Sequence, residues 1–186
     1  MRRLRGIWWR LPQNGVLLFF DVKPIFVKAY GGRRWTSARR VVLPKQQRTR
    51  GKFYLFLAYD VATGRRRWAY YDGKATPFVC RFMRQVRRWY PSAQVWVALD
   101  QDRAHPCTSR ETQRVMRQLN LRWISLPKAS PDDNPVETIF SDVQLLVLDT
   151  SNDTNAQTTR GRMSRHLKAK NQGKERKVAI AYMPDS

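Results

Sequence analysis

Apolar residues gather in short runs broken by polar punctuation, and their spacing shifts from strand-like to helix-like along the chain. The first run, Val16-Leu17-Leu18-Phe19-Phe20, is continuous rather than alternating, the mark of a strand covered on both faces. It reads as a buried strand over 16–22 ending near Asp21, with 25–30 as its hairpin partner, turned at Lys23-Pro24. KFYLFLAYD (52–60) and RRWAYY (66–71) flank Ala62-Thr63-Gly64 and read as a second hairpin. From Pro77 to Tyr90, Phe78, Phe82, Val86 and Trp89 recur at helical spacing, with arginines on the other faces. QVWVAL (94–99) reads as another buried strand, ending at Asp100. A helix over 108–119, capped by Thr108 or Ser109, and a strand over 121–125 follow. Then come a helix from Pro135 to about Leu148 and a second over roughly 153–168, while 177–182 reads as a last strand or an extended tail. Antiparallel strands come first and crossovers later. The pattern therefore predicts an α/β fold, a mixed sheet with helices on both faces.

Composition narrows what such a fold does. The 186 residues carry 36 Lys and Arg against 14 Asp and Glu, a net charge of +22 that points to a polyanionic partner. Length and 42% apolar content suit one domain with its own core. Two cysteines, Cys80 and Cys107, and two histidines, His105 and His166, are too few and too scattered for a zinc finger. No apolar run is long enough to span a membrane, and no signal cleavage site follows the basic start. The expectation is a cytoplasmic, nucleoid-associated bacterial protein with no membrane partner.

The distribution of charge is more telling than its sum. Residues 91–150 hold 8 of the 14 acids and are net −2, whereas the first fifty residues hold a single acid, Asp21. Asp21 and Asp100 each end a predicted buried strand, where sites gather in open α/β sheets. Glu137 follows Asn134-Pro135 at a helix start. Three carboxylates on rigid elements suit a hard divalent cation, and two such ions can clamp an in-line phosphoryl displacement. Each acid also has a purely structural reading. Asp21 and Asp100 suit turns, and Asn134 with Glu137 suits a capping box. His105 has both readings, catalytic and structural.

Three segments carry a resemblance: LLFFDVKP (17–24), VWVALDQDRAH (95–105) and LPKASPDDNPVETIFSDVQ (126–144). Together they resemble the catalytic domain of DDE-type transposases, in the mariner-like branch that includes bacterial insertion-sequence enzymes. In that family one strand delivers an Asp, and a second delivers an Asp with a His five residues on. A Leu-Pro…Ser-Pro…Asn-Pro-x-Glu segment delivers the third acid. Here these are Asp21, Asp100 with His105, and Glu137, with 36 residues between Asp100 and Glu137. The resemblance implies an RNase H-like mixed five-stranded sheet flanked by helices on both faces. It also implies two Mg2+ (or Mn2+) ions held by the three acids, cleavage of transposon ends, and transfer of the 3′-hydroxyl into target DNA, commonly at TA. The chain departs from the family pattern at Val22, Gln101, Asp133 and Phe140, none of them a metal-binding acid. Family members usually carry an N-terminal helix-turn-helix region, and 20 residues precede Asp21 here, so the expectation is a catalytic portion without that region.

The corresponding division is a basic lead-in over 1–14, an RNase H-like catalytic domain over 15–150 and a basic extension over 151–186. The expected partners are double-stranded DNA, at transposon ends and target, and further copies in a homodimer or larger assembly with full-length transposase. A truncated, non-catalytic DNA-binding relic or regulator of transposition and a structure-specific nuclease are the alternative readings. Candidate phosphate contacts are Arg33, Arg34, Arg39, Arg40, Lys45, Arg48, Arg50, Arg65, Arg66, Arg67, Arg160, Arg162, Arg165 and Lys168. No base-reading motif accompanies them, so the contact expected is sequence-independent. DNA affinity measured against salt should then fall with a logarithmic slope of about −0.9 per phosphate neutralised, and a near-flat dependence would contradict this.

Overall fold

A computed structural model of the chain describes residues 6, 9–28, 48–99, 109–126, 134–149 and 151–173. Five strands form one sheet: β1 (Gly15–Phe26), β2 (Lys52–Asp60), β3 (Arg66–Tyr71), β4 (Gln94–Leu99) and β5 (Leu121–Ser125). Their spatial order is β3-β2-β1-β4-β5. The β1–β2 and β2–β3 pairs are antiparallel, and β1–β4 and β4–β5 are parallel. Four helices lie wholly among the described residues: α1 (Thr76–Trp89), α2 (Arg110–Gln118), α3 (Pro135–Val143) and α4 (Ala156–Gln172). The mixed sheet with helices on both faces is thus the one the hydrophobic pattern predicts. The expected strand at 177–182 lies outside the described residues.

Strand alternation sorts the core into two layers. Leu17, Phe19, Ile25, Phe53, Leu55 and Leu57 point to the face covered by α3 and α4. Leu18, Phe20, Val22, Phe56 and Ala58 point to the face covered by α1, with Met116 of α2 beside it. The central strands are covered on both sides, which explains why their sequences are continuous apolar runs.

The predicted turn at Lys23-Pro24 does not form. β1 continues unbroken to Phe26, pairing Pro24 with Tyr54 and Phe26 with Lys52. The reason lies in which edge needs donors. Odd-numbered residues of β1 bond toward β2, since the Leu17 carbonyl accepts from Val61 and Val27 exchanges bonds with Arg50 and Gly51. Pro24 therefore faces the opposite edge. There the pairing with β4 has already ended at Phe20↔Leu99, so its missing N–H leaves no gap in the ladder.

Local signals set the remaining ends. Asp60, only 2% exposed, accepts from the Ala62 and Thr63 amides and from the Tyr90 hydroxyl, and Gly64 takes φ 68° in the same turn. Ser109 caps α2 by accepting from the Thr112 amide, and Asn155 caps α4 by accepting from Thr158. α3 passes at Gln144 into one turn of π-helix ending at Leu148, so the helix expected over 135–148 is present with a change of pitch. Among the described residues, no helix is long and apolar enough to cross a membrane.

Arg87 has a structural task that its place in a basic helix conceals. Its guanidinium donates to the carbonyls of Leu119 (2.9 Å), Tyr90 (2.8 Å), Ala93 (2.9 Å) and Asn120 (2.9 Å). It thereby ties the ends of α1 and α2 to the start of β4, and burial lowers its pKa. Arg87→Ala should cost about 2–3 kcal/mol in chemical denaturation, because several carbonyls lose a charged donor together. A loss below about 0.5 kcal/mol, the size of an ordinary surface substitution, would contradict this role.

Candidate functional site

Asp21 lies in β1 between Phe19 and Lys23, on the sheet face covered by α3 and α4. It is half-buried, and its Oδ1 accepts from the Val22 amide at 2.6 Å. Two residues on, Lys23 reaches the same side and sets its Nζ 5.5 Å from the centre of the Phe140 ring in α3. β1 and α3 are therefore in direct side-chain contact beside Asp21.

α3 is built to hold that position. Asn134 caps it, accepting from Val136 at 3.1 Å, and Pro135 takes the first turn, where its missing N–H is harmless. Val136, Ile139, Phe140 and Val143 are buried against the sheet. Glu137 sits in the first turn, next to the positive end of the helix dipole. The capping box that Asn134 and Glu137 suit in sequence does not form among the described residues, because the Asn134 side chain accepts from Val136 rather than from Glu137. The Glu137 amide bonds to the Asn134 carbonyl, and among the described residues nothing hydrogen-bonds or ion-pairs with the Glu137 carboxylate. Capping therefore explains Asn134 but, among the described residues, gives the Glu137 side chain no partner.

Asp100 and His105 lie outside the described residues. Leu99, directly before Asp100, pairs with Phe20, directly before Asp21. Leu99 is also the last paired residue of β4 toward β1, and its carbonyl accepts from Leu126 at 2.8 Å. Among the described residues no three His, Cys, Asp or Glu side chains come together to hold a metal ion. The carboxylates of Asp21 and Glu137, which are described, are hard oxygen donors of the kind a magnesium-type ion takes. Lys23 is the residue that sequence reasoning passed over. The available signal was its two-residue spacing from Asp21, which in a strand means the same face.

The candidate phosphate contacts separate by environment. Arg33, Arg34, Arg39, Arg40 and Lys45 lie outside the described residues. Arg48, Arg50, Arg65, Arg165 and Lys168 are exposed. Arg66 is 5% exposed and donates to the carbonyls of Gly64 and Lys170, while its backbone exchanges two bonds with the Asn171 side chain. It docks α4 onto β3, and burial lowers its pKa even with Tyr59 and Asp142 nearby. A guanidinium so placed is not offered to a phosphate. Arg67 lies against Trp89 and Tyr90. Arg160 stacks 4.6 Å from the Phe53 ring centre and pairs with Asp72 at 2.7 Å. Arg162 pairs with Asp153 and donates to the Val147 carbonyl.

α4 is fastened by more than charge. Met163 and Leu167 are fully buried, and Ser164 receives the Trp68 indole and bonds the Tyr70 hydroxyl at 3.0 Å. Burial pushes the Tyr70 phenol up to about 12, with the Ser164 bond and the Arg160 charge opposing that shift. The His166 ring meets the Asp142 carboxylate at 2.7 Å, closing α4 onto α3. A groove of about 440 Å3 lined by Arg117, Asn120, Leu121, Arg122 and Trp123 lies beside β5, not at the acids.

A five-stranded mixed sheet in this order, layered by helices on both faces, is an RNase H-like fold. Within that class the chain belongs to the DDE superfamily endonuclease family, whose model matches residues 16–160. Its backbone is similar to the Mos1 transposase paired-end complex with left transposon end, at TM-score 0.66 and 16% identity, covering 94% of this chain and 54% of that one. The Mos1 mariner paired-end complex with Mn gives TM-score 0.65 and 17% identity, covering 94% and 54%. The catalytic domain of Mos1 mariner transposase gives 0.62 and 14%, covering 94% and 79%. The chain thus spans about half the length of the transposase chains in those complexes. No curated protein matches the sequence.

Proposed function

We propose that this chain is the catalytic part of a DNA transposase of the mariner-like, bacterial insertion-sequence branch. In this reading it cuts DNA at transposon ends and joins the freed 3′-hydroxyl to target DNA. The observation that carries the reading is the parallel register Phe20↔Leu99, with α3 packed on the face that bears Asp21. It sets the residues preceding Asp21 and Asp100 side by side and brings the helix of Glu137 onto the same layer. Family membership supports endonuclease chemistry, and a Mos1 complex with Mn supports a divalent ion.

In this reading Asp21, Asp100 and Glu137 hold two Mg2+ or Mn2+ ions. Bound ions of this kind activate the attacking oxygen and neutralise charge on the leaving oxygen. The reading requires Asp100, two residues beyond Ala98, on the face that Ala98 shares with Phe19. The chain's own contributions are positional. β1 and α3, locked by the buried contacts of Phe19, Ile139 and Phe140, hold their carboxylates at fixed separation. Lys23 adds a positive charge beside them, suited to a non-bridging phosphate oxygen. His105 orients the scissile phosphate or a carboxylate. DNA partners and assembly with further transposase copies complete the reading.

Nicking of supercoiled plasmid in Mn2+ provides the test. Asp21→Asn, Asp100→Asn and Glu137→Gln should each slow cleavage at least about a thousandfold, or roughly 4 kcal/mol of barrier, with DNA binding retained. Cleavage at the wild-type rate in these variants would contradict the assignment. Tight DNA binding without any cleavage by the wild-type chain would instead make it a non-catalytic relic. Cleavage confined to branched substrates, without strand transfer, would make it a structure-specific nuclease.

A further inference from the structure

The sheet face opposite the acids carries a second feature. α1 and α2 lie side by side on it and run in the same direction. Thr76 bonds Ser109, Cys80 meets Thr112, and Arg87 reaches the carbonyl of Leu119, a near-constant offset of 32–33 residues. Each helix buries one stripe and exposes the other. In α1 Val79, Phe82, Met83 and Val86 are buried, while Arg81, Arg84 and Arg88 are exposed. In α2 Thr112, Val115 and Met116 are buried, while Arg110, Arg114 and Arg117 are exposed. The offset sets Arg81 level with Arg114 and Arg84 level with Arg117. Two parallel rows of guanidinium groups result, on axes about 8–10 Å apart and with about 5 Å of rise between successive ranks.

Little within the described fold answers this charge. Among the described residues none of the six arginines forms an ion pair, and Glu111 is the only acid on the two helices. Arg81 alone has a described ring partner, Tyr71 at 5.7 Å. All six are arginines, the side chain whose planar fork matches phosphate. Among the described residues no aromatic ring on α1 or α2 is exposed, and Trp123, which lines a groove with Arg117, is half-buried, so the two helices offer no row of open rings to stack unpaired bases and a duplex is the better fit. No large apolar side chain is exposed on either helix, which argues against a membrane surface.

We propose that the α1–α2 arginine face binds the backbone of a double-stranded DNA segment other than the one at the acids. The identity of that polyanion as DNA rests on the function proposed above, whereas the site itself does not. A duplex on this face lies across the sheet from the carboxylates, so the chain would hold one segment while another is cut.

The test uses the full chain with a random-sequence duplex of about 30 base pairs. Arginine-selective dicarbonyl modification, read by mass spectrometry, should show Arg84, Arg114 and Arg117 protected several-fold by the duplex. The combined variant Arg81→Gln, Arg84→Gln, Arg114→Gln, Arg117→Gln should flatten the salt dependence of binding by about 0.9 for each phosphate no longer neutralised. Glutamine keeps helix propensity close to that of arginine, so circular dichroism should stay unchanged. Equal modification with and without DNA would overturn the proposal, as would an unchanged salt slope in the folded variant. Protection by single-stranded DNA or by anionic vesicles, with none by duplex, would overturn it too. Failure of the cleavage test would refute the proposed chemistry but leave this footprint in place.

Discussion

The parallel pairing of β1 with β4 is the constraint on which the rest depends. It aligns Phe20 with Leu99, 79 residues further on, and in the sequence each of these two is followed directly by an aspartate. Parallel neighbours cannot be joined by a tight turn. The chain must travel out through β2, β3 and α1 before it returns, and on the way β2 pairs with β1, β3 pairs with β2 and α1 packs on the sheet. β2 pairs along nearly all of β1, and α1 packs Phe82 against Phe20 and Phe56, with ring centres 5.0 Å and 5.6 Å apart. The register of the central pair is therefore over-determined. A slip of one residue would turn every inward side chain of β1 to the wrong layer.

That register then determines what the opposite layer must do. α3 can present Glu137 to the Asp21 face only if its own apolar side is seated, and Val136, Ile139, Phe140 and Val143 seat it. α4 closes over the same layer through Met163 and Leu167 and is pinned by Arg66 and by the His166–Asp142 contact. The helix that reads as part of a basic extension thus contributes to the core beneath the acids. Charge is divided along the same lines. Arg66 and Arg87 face carbonyls and hold the fold together, whereas Arg84, Arg88, Arg110, Arg114 and Arg117 stand exposed on the outer helix face.

Much of this was legible in sequence because burial on two faces leaves an unmistakable run. β2, β3, β4 and β5 begin and end where the patterns place them. Pro24 misled because proline ordinarily stops a strand, and nothing local shows that β4 stops pairing four residues earlier. The π-helical turn at Gln144–Leu148 was equally silent, since apolar content does not fix helical pitch. Of the site, Asp21 and Glu137 stood out by position, Asp21 closing the continuous apolar run and Glu137 in the first turn of a helix. Arg66 and Arg87 show the opposite limit. A basic residue in a basic segment carries no mark of whether a phosphate or a backbone carbonyl awaits it, because that depends on loops distant in sequence.

The central claim is that Asp21, Asp100 and Glu137 share one divalent site. Iron-directed backbone cleavage tests it most directly. With Fe2+ in place of Mg2+, ascorbate and peroxide generate radicals that cut the polypeptide beside the bound ion. The account predicts cuts clustered at three separate stretches of sequence, around residues 21, 100 and 137, suppressed by excess Mg2+ and absent in Asp21→Asn. Cuts confined to one stretch, or unaffected by loss of Asp21, would contradict it.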